Sequence, residues 1–204
     1  MDNYLEQIRS RILSAGAGFV YVTSDFADIA DSSTVRKGLS RLEKTGTIRR
    51  VLHGIYEYPE YSSFLKENVA PSPNKVAQAL ARNYGWTIVP NGDTALNLIG
   101  LSTQVPAEWT YVSDGPYKEY IFDNTVIRFK HTANKNISKI PPKSALLGQA
   151  IKAIGEEKLD GKAIKKISSM LSVEEKTALL TDGKYMTTWI FDAIKKICTT
   201  GMAL

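Results

Sequence analysis

The chain carries a single cysteine, Cys198, in 204 residues, so it holds no intramolecular disulfide and no cysteine-rich zinc site. Two histidines, His53 and His131, leave few imidazoles for a metal site or for a Ser-His-Asp set. No apolar run approaches the roughly 18 residues of a membrane span. The opening MDNYLEQIRSRIL carries acids and no apolar signal core, so a cytoplasmic protein without a membrane partner is expected. There is no phosphate-cradling glycine loop, because Asn91-Gly92-Asp93 reads as a turn, and there is no internal repeat or low-complexity tract. A restriction-type nuclease needs an acid followed by an acidic-x-Lys on a neighbouring strand. Asp114, Glu119 and Asp123 lie near strand-like runs, yet no acidic-x-Lys sits on one. The expectation is a protein that is not an enzyme, with no metal and no cofactor.

What is present is the balance of a soluble globular chain, 43% hydrophobic and 23% charged. A net charge of +5 and a pI near 9.1 favour a polyanionic partner. Over residues 1–60 eight bases meet eight acids, but they are segregated. Arg36, Lys37, Arg41, Lys44, Arg49 and Arg50 fall in one stretch, whereas Asp2, Glu6, Asp25, Asp28, Glu57 and Glu60 lie mostly elsewhere. Segregated charge without net excess is the footprint of a specific surface.

That stretch is residues 32–59, SSTVRKGLSRLEKTGTIRRVLHGIYEYP. At 3.6 residues per turn Val35, Leu39 and Leu42 fall on one narrow stripe. Ser33, Lys37, Ser40 and Lys44 lie nearly opposite, flanked by Arg36 and Arg41, with Glu43 near the apolar edge. Asp31 and Ser32 are suited to cap the helix start, and Gly46 to follow its end. Residues 47–58 then alternate loosely around Leu52-His53-Gly54, the centre of a tight hairpin that carries Arg49, Arg50 and His53.

Before this stretch, residues 3–15 form a helix with Leu5, Ile8 and Ile12 on one face, ended by Gly16-Ala17-Gly18. Residues 19–22 are a short β-prone run that can join the hairpin as a third strand. Ser24 caps a brief second helix, DFADIA, with Phe26 and Ile29 inward. Helix, strand, helix, turn, helix, hairpin is the plan of a winged helix-turn-helix. Residues 61–72 read as a linker in which Tyr61 and Phe64 pack against something. Residues 73–204 read as a mixed α/β domain: a helix over 73–84, a strand over 86–89, a short helix after Asp93, strands over 109–113, 119–122 and 125–131, then four helices near 143–154, 160–171, 173–181 and 186–198. Core candidates in this helical tail include Leu146, Leu147, Ile151, Ile164, Ile167, Leu179, Leu180, Trp189, Ile190 and Ile194. The expected fold class is α+β: an N-terminal winged helix over 1–60, then an α/β domain with a small sheet and a helical C-terminal tail.

The series DFADIA, the stretch over 32–59 and PSPNKVAQALARNYGWTIVPNGDTALNLIGL resembles the AbiEi-type antitoxins, bacterial winged-helix regulators of abortive-infection toxin–antitoxin systems. The resemblance covers about residues 3–131, and its most particular part is Gly54-Ile55-Tyr56…Pro59 followed by Trp86-Thr87-Ile88-Val89-Pro90-Asn91-Gly92. It departs at His53, where relatives often carry arginine. The resemblance implies repression of the chain's own operon by binding inverted repeats in double-stranded promoter DNA. It also implies a C-terminal domain that counteracts a nucleotidyltransferase-like toxin without requiring a stable complex.

A winged helix sets the start of its third helix in the major groove. On that plan Ser33, Thr34, Arg36 and Lys37 face base edges, and Arg36 suits bidentate pairing with guanine. Ser40, Arg41 and Lys44 reach phosphates, while Arg49, Arg50 and His53 touch phosphates or the minor groove. Tyr56 reads as core. Lys162, Lys165 and Lys166 form a further basic surface, read either as a solvated helix face or as a contact for DNA or for antitoxin action. The alternative function is a one-component regulator whose C-terminal domain senses a small ligand in a pocket lined by Trp86, Trp109, Tyr111, Tyr117 and Tyr120.

Overall fold

Two apolar helix stripes meet in the first part of the chain. Helix α1 (Asn3–Ala15) contributes Ile8 and Ile12, both fully buried. Helix α2 (Ser32–Lys44) contributes Val35, Leu39 and Leu42 from its predicted stripe. Tyr21, Phe26, Ile48 and Tyr56 complete this core. The two helices approach closely at Gly38, where an added Cβ would stand 3.1 Å from Ile8 Cδ1, so a larger residue would require the Ile8 side chain to shift.

The ends of α2 are set by short-range chemistry. The Asp31 carboxylate caps it, accepting from the N–H groups of Ser33 and Thr34 at 2.9 and 3.1 Å. At the other end Gly46 takes a left-handed φ of 74°, and the N–H of Thr47 reaches back to the Leu42 carbonyl at 2.9 Å. The chain then forms β2 (Arg49–Leu52) and β3 (Ile55–Glu57), joined through His53-Gly54 with a register shift between Arg50 and Leu52. Strand β1 (Val20–Val22) pairs antiparallel with β3, giving a three-stranded sheet of order β1-β3-β2, as the β-prone run at 19–22 suggested.

Two expectations are corrected here. DFADIA is not an α-helix: Thr23–Phe26 makes one 3₁₀ turn, and the Asp25 carboxylate accepts the Val22 N–H at 2.9 Å in place of a cap from Ser24. Residues 61–72 are not a plain linker either, since β4 (Tyr61–Ser62) and β5 (Glu67–Asn68) close a small hairpin. Its Tyr61 and Phe64 are exposed, Phe64 at 91%, so they do not pack as expected.

Helix α3 (Pro73–Tyr84), capped by Ser72 and closed by Gly85, buries Val76, Ala77 and Leu80. The structure, a computed structural model, describes residues 3–133, 137 and 139–200; the expected placement of Asp2 lies outside them. The chain divides into two units, Met1–Trp86 with Phe122–Asn124, and Thr87–Ile121 with Thr125–Leu204. Helix α3, expected to open the second domain, thus belongs with the first unit. Lys75 Nζ donates to the Gly18 carbonyl at 2.8 Å, and Arg82 donates to the Val20 carbonyl at 2.8 Å and to both Asp25 oxygens.

The second unit has a four-stranded sheet of order β6-β7-β9-β8, from β6 (Ile88–Pro90), β7 (Glu108–Ser113), β8 (Lys118–Phe122) and β9 (Thr125–His131). Strands β6 and β7 are antiparallel, whereas β7 and β9 are parallel, with Tyr111 opposite Phe129 and both fully buried. Helix α4 (Asp93–Leu98) and helix α5 (Pro142–Ile154) pack on this sheet. Helices α6 (Gly161–Ser169), α7 (Val173–Asp182) and α8 (Thr188–Thr199) join α5 around Leu147, Ile151, Ile167, Leu179, Ile194 and Ile197. Of the helical core candidates, Leu180 is exposed. The fold class is α+β, with eight α-helices and small sheets among the described residues.

Arg11 clamps the 3₁₀ turn to α1, donating to the two Asp28 oxygens at 2.7 and 2.6 Å and to the Asp25 carbonyl at 2.9 Å. This bonding holds the Asp28 carboxyl at about 2, against an ordinary 3.8. Because the folded value is depressed, the clamp's contribution is present above the ordinary aspartate range and is lost as pH falls through about 2. A carboxyl-carbon NMR titration should therefore place the Asp28 midpoint near 2, and Arg11→Ala should return it towards 3.8.

Candidate nucleic-acid interface

Burial of the Val35–Leu39–Leu42 stripe leaves the opposite side of α2 in solvent. Ser33, Arg36, Lys37, Arg41 and Lys44 are exposed there, and Ser40 is half-buried. Arg36, Lys37 and Lys44 pair with no carboxylate among the described residues. Arg36 uses its Nε on the Ser32 carbonyl at 3.2 Å, which steadies the stem and leaves its terminal nitrogens for an external acceptor. Arg41 Nη1 lies 3.4 Å from the Tyr4 hydroxyl of α1. Thr34 is differently placed: its hydroxyl donates to Asp31 Oδ2 at 2.7 Å, so it serves the helix cap. That bond, with the backbone donors, holds the Asp31 carboxyl below its usual value.

The hairpin's bases do not behave alike. Arg49 is tied inward, its Nε donating to Glu57 Oε2 at 2.5 Å and its Nη2 to the Val69 carbonyl. Glu57 is 2% exposed, so Arg49 is the counter-charge of a buried carboxylate and a strut to the β4–β5 hairpin. Arg50 remains partly exposed but is held at the joint with α2, donating to Glu43 Oε2 at 3.0 Å and to the Tyr56 hydroxyl at 3.2 Å. Its guanidinium also stands 5.4 Å from the centre of the Tyr56 ring, which is buried as expected. His53 is exposed at the turn. The hairpin therefore presents His53 and half of Arg50, and not Arg49.

Three further arginines of this unit are paired internally. Arg9 pairs with Glu6, Arg11 with Asp28 and Arg82 with Asp25. Arg36, Lys37 and Lys44, without a carboxylate partner among the described residues, are grouped on α2, an arrangement that can offer guanidinium and ammonium donors to a polyanion. The sequence reading missed the restraining groups Tyr4, Val69, Lys75 and Arg82. No local signal reveals them, because each reaches a partner at least 20 residues away.

The other candidates do not gather into a site. Lys162, Lys165 and Lys166 are exposed on α6, with Lys166 Nζ 3.4 Å from the Leu101 carbonyl. Asp114 accepts the Thr87 N–H at 2.8 Å, and Glu119 is bonded to Arg128, so these acids serve the sheet. Of the five aromatics offered as a pocket, Tyr111 is core, Tyr117 is exposed and Trp86 stacks on Tyr84 at 4.7 Å.

The chain belongs to a protein family of unknown function, DUF6088, whose model matches residues 7–179. No curated protein matches it.

Burial raises the Glu57 carboxyl above the ordinary glutamate value, while Arg49 and then Lys75 pull it back. A raised folded value means that stability falls as pH rises through the interval above the ordinary glutamate range. Arg49→Ala, which leaves that buried charge unpaired, should cost roughly 2 kcal/mol, less than a fully buried pair because Arg49 is partly solvated. Urea unfolding checks this: the loss should shrink at acid pH, and Arg36→Ala and Lys44→Ala should stay within about 0.5 kcal/mol of the parent.

Proposed function

We propose that the first unit is a winged helix-turn-helix that binds double-stranded DNA, with α2 as the reading helix and the β2–β3 hairpin as the wing. The observation that carries this reading is the outward face of α2, where Arg36, Lys37 and Lys44 have no carboxylate partner among the described residues and share the face with Ser33 and Ser40. The order of α1, β1, 3₁₀ turn, α2 and hairpin supports it, with the middle helix of the plan reduced to a single turn. In this reading Arg36 and Lys37 meet base edges, with Ser33 beside them. Arg41, Lys44 and Ser40 meet phosphates, and His53 with Arg50 touches the backbone beside the groove. Thr34 and Arg49 act indirectly, by holding the helix start and the wing.

We further propose, on the resemblance of residues 3–131 to the AbiEi-type antitoxins, that the protein represses its own operon at promoter inverted repeats. The second unit then opposes a nucleotidyltransferase-like toxin. The protein's role is binding, not catalysis, and it needs no cofactor.

Fluorescence anisotropy with the DNA upstream of the gene, against scrambled DNA at several salt concentrations, tests the first step. Arg36→Ala should cost about 1–3 kcal/mol on the operator and relax preference at one base pair. Lys44→Ala should weaken all sequences alike and lower the salt slope by about one. Equal binding of both DNAs by the parent and by Arg36→Ala would remove the reading face. For the second step, charge reversal of Lys162, Lys165 and Lys166 should reduce operator affinity or rescue from the neighbouring toxin gene on co-expression. Unchanged behaviour in both assays would remove this basic surface from the function.

A further inference from the structure

The second unit contains a cavity of about 500 Å³ among α4, α5, α6 and α7. Its walls are mostly hydrocarbon, with Leu98, Ile99, Leu147, Ile167, Met170 and Leu179 facing the space. It is partly open to solvent, and its volume falls within the range of small-molecule sites. None of the aromatics expected to line a ligand pocket takes part.

The polar groups of this cavity come from two places, Lys143 and Ser144 in the first turn of α5, and Glu175 and Asp182 on α7. Two carboxylates thus line it, and their bonding differs. Glu175 is occupied on both oxygens: Lys143 donates to Oε1, and the Ser172 N–H, at the start of α7, donates to Oε2 at 2.9 Å. Asp182 receives one hydrogen bond, from the buried Ser144 hydroxyl to Oδ2 at 2.5 Å, and no cation pairs with it among the described residues. The Lys143–Glu175 pair cancels its own charge, so the cavity keeps one negative charge, on Asp182. Ser144 holds that carboxylate in place and leaves lone pairs on it for a donor.

We propose that this cavity binds a small organic amine, its apolar body against the leucine and isoleucine walls and its ammonium on the Asp182 carboxylate. An apolar chamber with one oriented charged group is the usual construction of such a site. A carboxylate ligand of the same shape meets like charge at Asp182, and an alcohol forms the hydrogen bond without the ion pair. The site stands on the second unit alone, so it holds or fails independently of the DNA reading.

The test titrates the full chain with 4-phenylbutylamine, 4-phenylbutan-1-ol and 4-phenylbutyrate, read by calorimetry and by methyl NMR shifts of Met170 and Leu147. The amine should bind saturably, about tenfold more tightly than the alcohol, with the acid weaker still. Asp182→Asn, which keeps an acceptor for Ser144, should bring the amine down to the alcohol's affinity. Ala178→Trp, at an exposed position lining the cavity, should block all three. The proposal is overturned if no probe binds at millimolar concentration, if amine and acid bind alike, or if Asp182→Asn leaves the preference intact. A dimer of the parent that Ala178→Trp converts to monomer by light scattering would give the cavity to a second copy of the chain, and would overturn it too.

Discussion

A helix that buries one stripe completely has no freedom in where its other side points. Val35 and Leu39 are wholly enclosed and Leu42 nearly so, against Ile8 and Ile12 of α1, at a spacing that Gly38 allows to be close. Rotating α2 by even a third of a turn would bring Arg36 or Arg41 towards that core and expose a leucine. Each buried aliphatic side chain favours the observed setting by about 1.5–3 kcal/mol, and a buried unpaired cation would add a larger penalty. The outward display of Arg36, Lys37 and Lys44 is therefore a consequence of packing on the reverse side. The proposed DNA recognition inherits its geometry from this constraint.

A second level of order lies in how the remaining charges are used. Arg9, Arg11, Arg49, Arg50 and Arg82 each meet a carboxylate within the first unit, and the last four also touch a carbonyl or an aromatic ring. These residues act as struts. Arg49 matches the buried Glu57 and reaches the β4–β5 hairpin, Arg50 links the hairpin to α2 through Glu43, and Arg82 fastens α3 to β1 and the 3₁₀ turn. Pairing these arginines inside the unit while Arg36, Lys37 and Lys44 stay without a carboxylate partner among the described residues explains how residues 1–60, without net charge, can carry a basic face on α2.

The second unit divides its work differently. Its sheet buries Tyr111 and Phe129 side by side, at a centre-to-centre distance of 5.8 Å, and its helices close around a second apolar core. That core is incomplete at the cavity between α4, α5, α6 and α7, where a carboxylate stands among hydrocarbon walls. Leu146 was read from the sequence as core; it lines this cavity. Periodicity identifies an inward-facing residue, but whether the space it faces is filled depends on helices distant in sequence.

Much of the architecture was legible one residue at a time. The α2 stripe, its Asp31 cap, its Gly46 stop, the turn at His53-Gly54 and the extents of α3, α5, α7 and β9 follow from spacing and from backbone preferences acting over a few residues. Such signals are local, and a linear sequence carries them in full. The role of Arg49, the 3₁₀ turn in place of a helix at DFADIA, the grouping of α3 with the first unit and the cavity beside Asp182 were decided by tertiary contacts. The Glu57 carboxylate that captures Arg49 and the Asp25 carboxylate that captures Arg82 act only after the chain has folded back on itself. An arginine in a sequence is a charge on a long stem with no assigned partner; burial and the long-range pairing of strands and helices assign it.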